Sequence, residues 1–201
     1  MLRYLGPKLK KLRQLNIHIQ PGFSTKYSVV KNPIQKNTKA ITSFYLLELL
    51  EKQKLKFTFS LSEKILKKYI FFFQNYKYKT FNLITIFELR FDTVLFNLGY
   101  SNTIAQARQW IVHGHFFLNF IPINIPSFLV KKGDIISLSP TSTFLSYICK
   151  KNLYNKYTTT RINSKNICFC KKTLISIVYS LLNLQYTFSN FDNSLITQYY
   201  S

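Results

Sequence analysis

The sequence predicts an α+β protein: an α-helical amino-terminal domain led by an extended basic arm, then a small module of two short helices packed on a small sheet. Three observations carry this expectation. Apolar residues recur at helical spacing between Ser43 and Phe73, and two shorter helical stripes, each closed by a glycine, lie between Val94 and Gly114. From Phe117 to Leu138 the apolar residues come instead in short runs separated by turn residues, as in strands. The implied division is a basic arm over 1–42, a helical domain over 43–87 and the two-helix module over 88–140. A divergent segment over 141–201 is expected to pack back on the helical domain.

The arm holds no Asp or Glu, lacks sustained apolar periodicity and contains Gly6, Pro7, Pro21, Gly22 and Pro33, so a loop-rich conformation is expected. Arg3, Lys8, Lys10, Lys11 and Arg13 crowd its start. On composition alone an organelle transit peptide, also basic and acid-poor, fits equally well. A helix is expected from Ser43 to Lys56, with Tyr45, Leu46, Leu49 and Leu50 on one side and Glu48, Lys52 and Lys56 on another. A second is expected to begin near Ser60, which stands at capping-box spacing from Glu63. Its stripe is Ile65, Leu66, Tyr69, Ile70 and Phe73, with Lys64, Lys67 and Lys68 facing outward.

In the module, Val94, Leu95 and Leu98 form the apolar face of a short helix that Gly99 ends in a left-handed conformation. Thr103 and Gln106 stand at capping-box spacing for the next helix, whose inward residues are Ile104, Ala107 and Ile111 and which Gly114 ends. Strands are expected at Phe117–Leu118, Phe128–Val130 and Ile135–Leu138, with turns near Asn119 and over Lys131–Asp134. Residues 150–172 read as a loop, 173–184 as either helix or strand, and the last dozen residues as apolar enough to pack on something.

The charge balance concerns partners rather than fold. Twenty-eight Lys and Arg against seven Asp and Glu give a net charge of +21, and a compact chain so charged repels itself unless a polyanion neutralises it. Nucleic acid is the expected polyanion. A hydrophobic content of 47% argues for a folded core beneath that charge. The most apolar stretches, 65–73 and 174–184, are too short or too interrupted to span a bilayer, so no membrane partner is expected. Three cysteines, Cys149, Cys168 and Cys170, are too few for a disulfide framework, and no second Cys or His pair completes a zinc site. Neither a metal, a cofactor nor a small-molecule substrate is expected. No nucleophile or carboxylate pair accompanies His113 or His115, so catalysis is not expected either. The abundance of Lys, Asn, Ile, Phe and Tyr with only five Arg is the signature of an A+T-rich coding sequence, as in many organelle genomes.

The module from Arg90 to Leu138 resembles the alpha-L RNA-binding motif of the ribosomal S-four family. The matching residues are Arg90, Asp92, Leu98, Gly99, Ala105, Ala107, Arg108, Gln109, His113, Gly114 and His115. Asn119, Asn124 to Ser127, Val130 and Gly133 to Ile136 continue the match. Met1 to Leu15 is similar to the start of mature S-four, which speaks against a transit peptide; Glu51 to Lys54 and Leu195 to Ser201 also match the family in order. Phe120 stands where the family has Gly after Asn119, so an altered or lengthened turn is expected there. The arm lacks the cysteines of the zinc site found in some relatives.

The resemblance implies a structural protein of the small ribosomal subunit that binds rRNA at a multi-helix junction, touches neighbouring ribosomal protein S-five and the mRNA entry region, and supports assembly and decoding accuracy. It points to a plastid, including a non-photosynthetic one, ahead of a mitochondrion. A stand-alone alpha-L binder or a pseudouridine synthase-like enzyme is the alternative, since both carry the same motif. The RNA-facing candidates are the arm cations Arg3, Lys8, Lys10, Lys11 and Arg13, with Lys52 and Lys54. In the module they are Arg90, Thr103, Arg108, Gln109, His113, His115, Lys131 and Lys132. Arg108, His113 and His115 are expected to point outward because Ile104, Ala107 and Ile111 take the inner face, and the start of their helix is a natural anion site. Plainer roles stand beside these: Arg90 pairing with Asp92 or Glu88, the two histidines as C-terminal caps, and Lys131 and Lys132 as solvated turn residues.

Overall fold

The structure, a computed structural model, describes residues 6–15, 43–75, 83–141, 146–147, 149–150, 167–170, 174–178 and 191–200. It forms two compact units, one of residues 1–84 with 187–201 and one of residues 85–186.

In the first unit the arm is not all loop: Lys8–Gln14 is a helix, α1. Its Leu12, with Leu15 just beyond, is buried against Leu50 and Phe57. Two leucines are too short a stripe to stand out in a basic run, and packing rather than propensity holds so short a helix. Helix α2, Phe44–Thr58, starts where expected, with the Ser43 hydroxyl accepting from the Leu46 N–H. Its buried face is not the expected one. Tyr45, Leu46 and Leu47 are exposed, while Glu48, Lys52, Leu55 and Thr58 are covered. The reason is the far end of the chain: α7, Asn193–Tyr199, packs on α2. The Lys52 ammonium sits 4.0 Å from the centroid of the Tyr199 ring and 3.0 Å from Glu63. Burial works against its charge, but Tyr199 and Glu63 outweigh that and raise its pKa. Burial likewise disfavours ionised Glu63, yet bonds from Tyr200, Lys52 and Lys56 hold its pKa at about 2.

Helix α3, Glu63–Asn75, begins three residues later than expected. Ser60 does not cap it. Ser60 adopts φ 50 and closes α2, with Leu61 N–H donating to Lys56 O at 3.0 Å and Ser60 N–H to Phe57 O at 3.3 Å, a Schellman pair of bonds. The α3 stripe runs as expected: Leu66 and Ile70 are buried, and Lys64, Lys67 and Lys68 are exposed.

Helix α4, Leu83–Glu88, spans the sequence boundary of the two units. The second unit contains α5, Phe91–Asn97, and α6, Ile104–Val112, packed together, and a sheet. Each of these helices ends in the Schellman pattern. Gly99, at φ 81, lets Tyr100 N–H reach Leu95 O, and Gly114, at φ 73, lets His115 N–H reach Trp110 O. The strands are β1 Phe116–Leu118, β2 Ile121–Pro122, β3 Ile135–Leu138, β4 Ile167–Cys170 and β5 Ile175–Val178. Their order is β2-β1-β3-β5-β4, with every neighbouring pair antiparallel. Leu95, Ala107, Ile111 and Ile136 meet in the core, where Phe116 lies edge-on to both Phe91 and Tyr100. The Tyr100 hydroxyl donates to Leu174 O at 2.8 Å, which ties β5's entry to this core.

Three expectations about strands change. Residues 128–130 form a single bridge, Arg90 with Leu129, rather than a strand, because they pair with the start of α5. The expected loop over 150–172 contains β4, and the undecided run after 173 contains β5. The C-terminal segment is therefore divided: β4 and β5 complete the module's sheet, and the packing on α2 comes from α7. Between β1 and β2 the turn is not lengthened. Asn119 at φ 51 and Phe120 at φ 65 make a two-residue hairpin of the type that requires two left-handed residues. A left-handed conformation costs a side chain such as Phe about 1–2 kcal/mol.

Glu88, at the end of α4, is buried, and burial pushes its carboxyl pKa up to about 8. The native state therefore holds a proton there that the unfolded chain releases near pH 4.5. Stability from this residue falls as pH rises from about 4.5 to about 8 and is level above. Glu88→Gln, a neutral substitute of the same shape, is expected to raise the melting temperature little at pH 5 and increasingly towards pH 8. Equal gains at both pH values in thermal melts would contradict the buried, protonated carboxyl.

Candidate nucleic-acid interface

Asp92 organises the second unit's cations. Its carboxylate is fully buried and receives two guanidinium groups. Arg90 donates from Nε at 3.1 Å to one oxygen and from NH2 at 2.9 Å to the other. Arg108 donates from Nε at 2.9 Å and NH2 at 2.7 Å. The Thr93 N–H adds a fifth bond, and Asp92's own N–H reaches Pro126 O. The cluster joins the start of α5, the middle of α6 and the segment returning from β2.

This corrects two expectations. Arg90 is 3% exposed and belongs to the interior, as its plainer reading had it. Arg108 is half-buried and turned towards Asp92, not outward; the inner apolar face of α6 left room for a flank occupied by a buried acid. Lys52 and Lys54, in the first unit, are also engaged: Lys52 under Tyr199 and beside Glu63, Lys54 with Glu51 at 3.0 Å. Thr103 caps α6, its hydroxyl accepting from Gln106 N–H at 3.1 Å, while the Gln106 amide oxygen accepts from Asn102 N–H. The expected box thus closes one residue earlier on its return bond.

The other module candidates lie at the surface. Gln109 and His113 are exposed and His115 is half-buried. The left-handed Gly114 places the two imidazoles side by side, ring centroids 6.1 Å apart. A side chain at Gly114 would come within 3.3 Å of the Asn124 amide oxygen, so the close approach here also calls for glycine. Lys131 and Lys132 are exposed on the turn before β3. That turn is rigidly held. Asp134 accepts from Lys131 N–H at 2.7 Å and from the Asn119 amide at 2.9 Å, and Asn119 Oδ1 accepts from Ile135 N–H at 2.8 Å. Gly133 N–H donates to Val178 O at 2.7 Å, bolting the turn to β5. Asn119 and Asp134 match the motif in sequence, and an Asn after one strand with an Asp before another is the only sequence trace of this cross-link.

In the first unit, Lys10 and Arg13 on α1 are exposed, Lys11 is half-buried and Lys8 lies at the helix start. Arg3 lies outside the described residues. No group of three His, Cys, Asp or Glu among the described residues could hold a metal ion. None of their helices is long and apolar enough to cross a membrane.

The S4 domain model matches residues 89–136, the span that holds both histidines, the lysine turn and the Asp92 cluster. The small ribosomal subunit protein uS4c of Eimeria tenella is 64% identical over 201 residues, covering all of both chains. The chain belongs to the uS4 family. The uS4c of Toxoplasma gondii is 40% identical over 210 residues, covering all of this chain and 99% of its own. The bacterial uS4 of Methylobacillus flagellatus is 40% identical over 155 residues, 74% of this chain and 75% of its own. The family resemblance of the module and of the chain's start therefore holds over the full length. The α+β fold carries the surface just described, with Arg90 and Arg108 held on Asp92 and Lys131, Lys132 and His113 exposed.

Asp92→Ala is expected to leave two guanidinium groups without their shared carboxylate inside the module and to destabilise it by roughly 3–5 kcal/mol. Denaturant unfolding followed by tryptophan fluorescence reports it, since Trp110 packs on the same core. A loss under 1 kcal/mol would show that the cluster does not hold the module together.

Proposed function

We propose that the exposed cations of the module and of α1 bind small-subunit ribosomal RNA through its backbone. As a uS4 family member the chain is a structural constituent of the small ribosomal subunit and not an enzyme. The full-length relatives from Eimeria tenella and Toxoplasma gondii are uS4c proteins, and the chain's place is the ribosome of a plastid. The observation that carries the RNA reading is the separation of charges: Lys131 and Lys132 at the surface, Asp92 sealed inside with both arginines. A-form helices hide their base edges in a deep groove, so a protein holding a folded junction reads phosphate positions and shape. Rigidly held lysines and a histidine pair suit that task. The same reading extends to a multi-helix junction, the neighbouring protein S-five, the mRNA entry region and decoding accuracy, each supported by the family resemblance.

Lys131→Ala and Lys132→Ala should each weaken binding to a plastid small-subunit rRNA transcript. Each should also reduce the magnitude of the slope of log affinity against log salt by about 0.7–1. Filter binding across a salt series measures both. An unchanged slope would remove the lysine turn from the RNA face.

A further inference from the structure

The β1–β2 turn carries an aromatic ring that the core does not use. Phe120 is 68% exposed, more than any other exposed large apolar side chain among the described residues. Its backbone stands at φ 65, where glycine would complete the same two-residue turn without strain. A strained residue that adds nothing to packing points to a use outside the fold. The ring's base is also rigid. Asn119, directly before it, is bonded through its side chain to Ile135 N–H and to Asp134, and Asp134 holds the Lys131 N–H. These bonds tie the residue before Phe120 to the turn that carries the exposed Lys131 and Lys132.

We propose that Phe120 is a stacking platform for one unpaired base of the bound RNA, with Lys131 and Lys132 meeting the phosphates of the same strand. An exposed ring on a hairpin tied to a turn with two exposed lysines offers a nucleotide a partner for each half, base and phosphate. An apolar protein surface would have no use for the two charges. The base comes from a loop, bulge or strand end, since bases inside an A-form duplex are already stacked. The inference rests on the rRNA-binding reading above.

The test uses the full chain and a plastid small-subunit rRNA transcript. Phe120→Gly is expected to bind about five- to a hundredfold more weakly, the range for loss of one stacked base, while melting at a higher temperature because the turn strain is gone. Phe120→Trp keeps a ring and stays within about twofold of wild type, whereas Phe120→Leu, apolar but ringless, falls with the glycine variant. Ultraviolet irradiation of the wild-type complex should attach a nucleotide to the peptide holding Phe120. Undiminished affinity of Phe120→Gly, beside a wild type that binds, overturns the stacking role alone. So does full affinity of Phe120→Leu, which would assign the tip to apolar contact such as a neighbouring protein. A wild type that ignores the transcript overturns the rRNA reading and the platform with it.

Discussion

The buried carboxylate of Asp92 is the constraint on which the module depends. A charge removed from water is tolerated only when it is paired and hydrogen-bonded, and this one is met by two guanidinium groups and a backbone N–H. Because Arg90 begins α5, Arg108 lies in α6 and Asp92's own N–H reaches Pro126, satisfying one acid fixes three pieces of chain together. The bridge of Arg90 to Leu129 lies beside that knot, and the apolar core packs the two helices.

Three other acids are paired in the same way, whereas buried Glu88 keeps its proton. Glu63 gathers Lys52, Lys56 and Tyr200, Glu51 pairs with Lys54, and Asp134 links Asn119 to the Lys131 turn. Glu48 and Glu88 are buried. Asp192 stands at the amino end of α7, where its charge suits the helix dipole. Seven acids against twenty-eight Lys and Arg leave most of the positive charge without an acidic partner in the chain. Such an excess of base over acid is the electrostatic form of a protein that completes its charge balance with a polyanion.

Local chemistry was legible where one residue decides the geometry. Gly99 and Gly114 as helix ends, Ser43 and Thr103 as helix starts, and the alternation at Ile135–Leu138 are readable because caps and left-handed turns admit few residue types. Long-range pairing was not. Nothing near Glu48 and Lys52 announces that α7, some 140 residues later, covers their side of α2, and β4 is a short run inside a polar stretch. Ser60 shows the ambiguity directly: the spacing to Glu63 fits a cap, yet the same residue serves the helix before it. Among the candidate residues, the exposure of the turn lysines and of His113 was legible from position. Arg90 and Arg108 were misplaced because one-dimensional spacing cannot show two arginines converging on one acid.

The central claim is that the module turns its lysine turn and histidine pair to rRNA while the Asp92 knot stays closed behind them. A high-resolution cryo-electron microscopy map of the assembled plastid small subunit tests it most directly. The account predicts the ammonium groups of Lys131 and Lys132 within about 4 Å of rRNA phosphate oxygens, with Arg90 and Arg108 still on Asp92. Phosphates seated on Arg90 and Arg108 with Asp92 displaced, or the lysine turn standing in solvent, would contradict it.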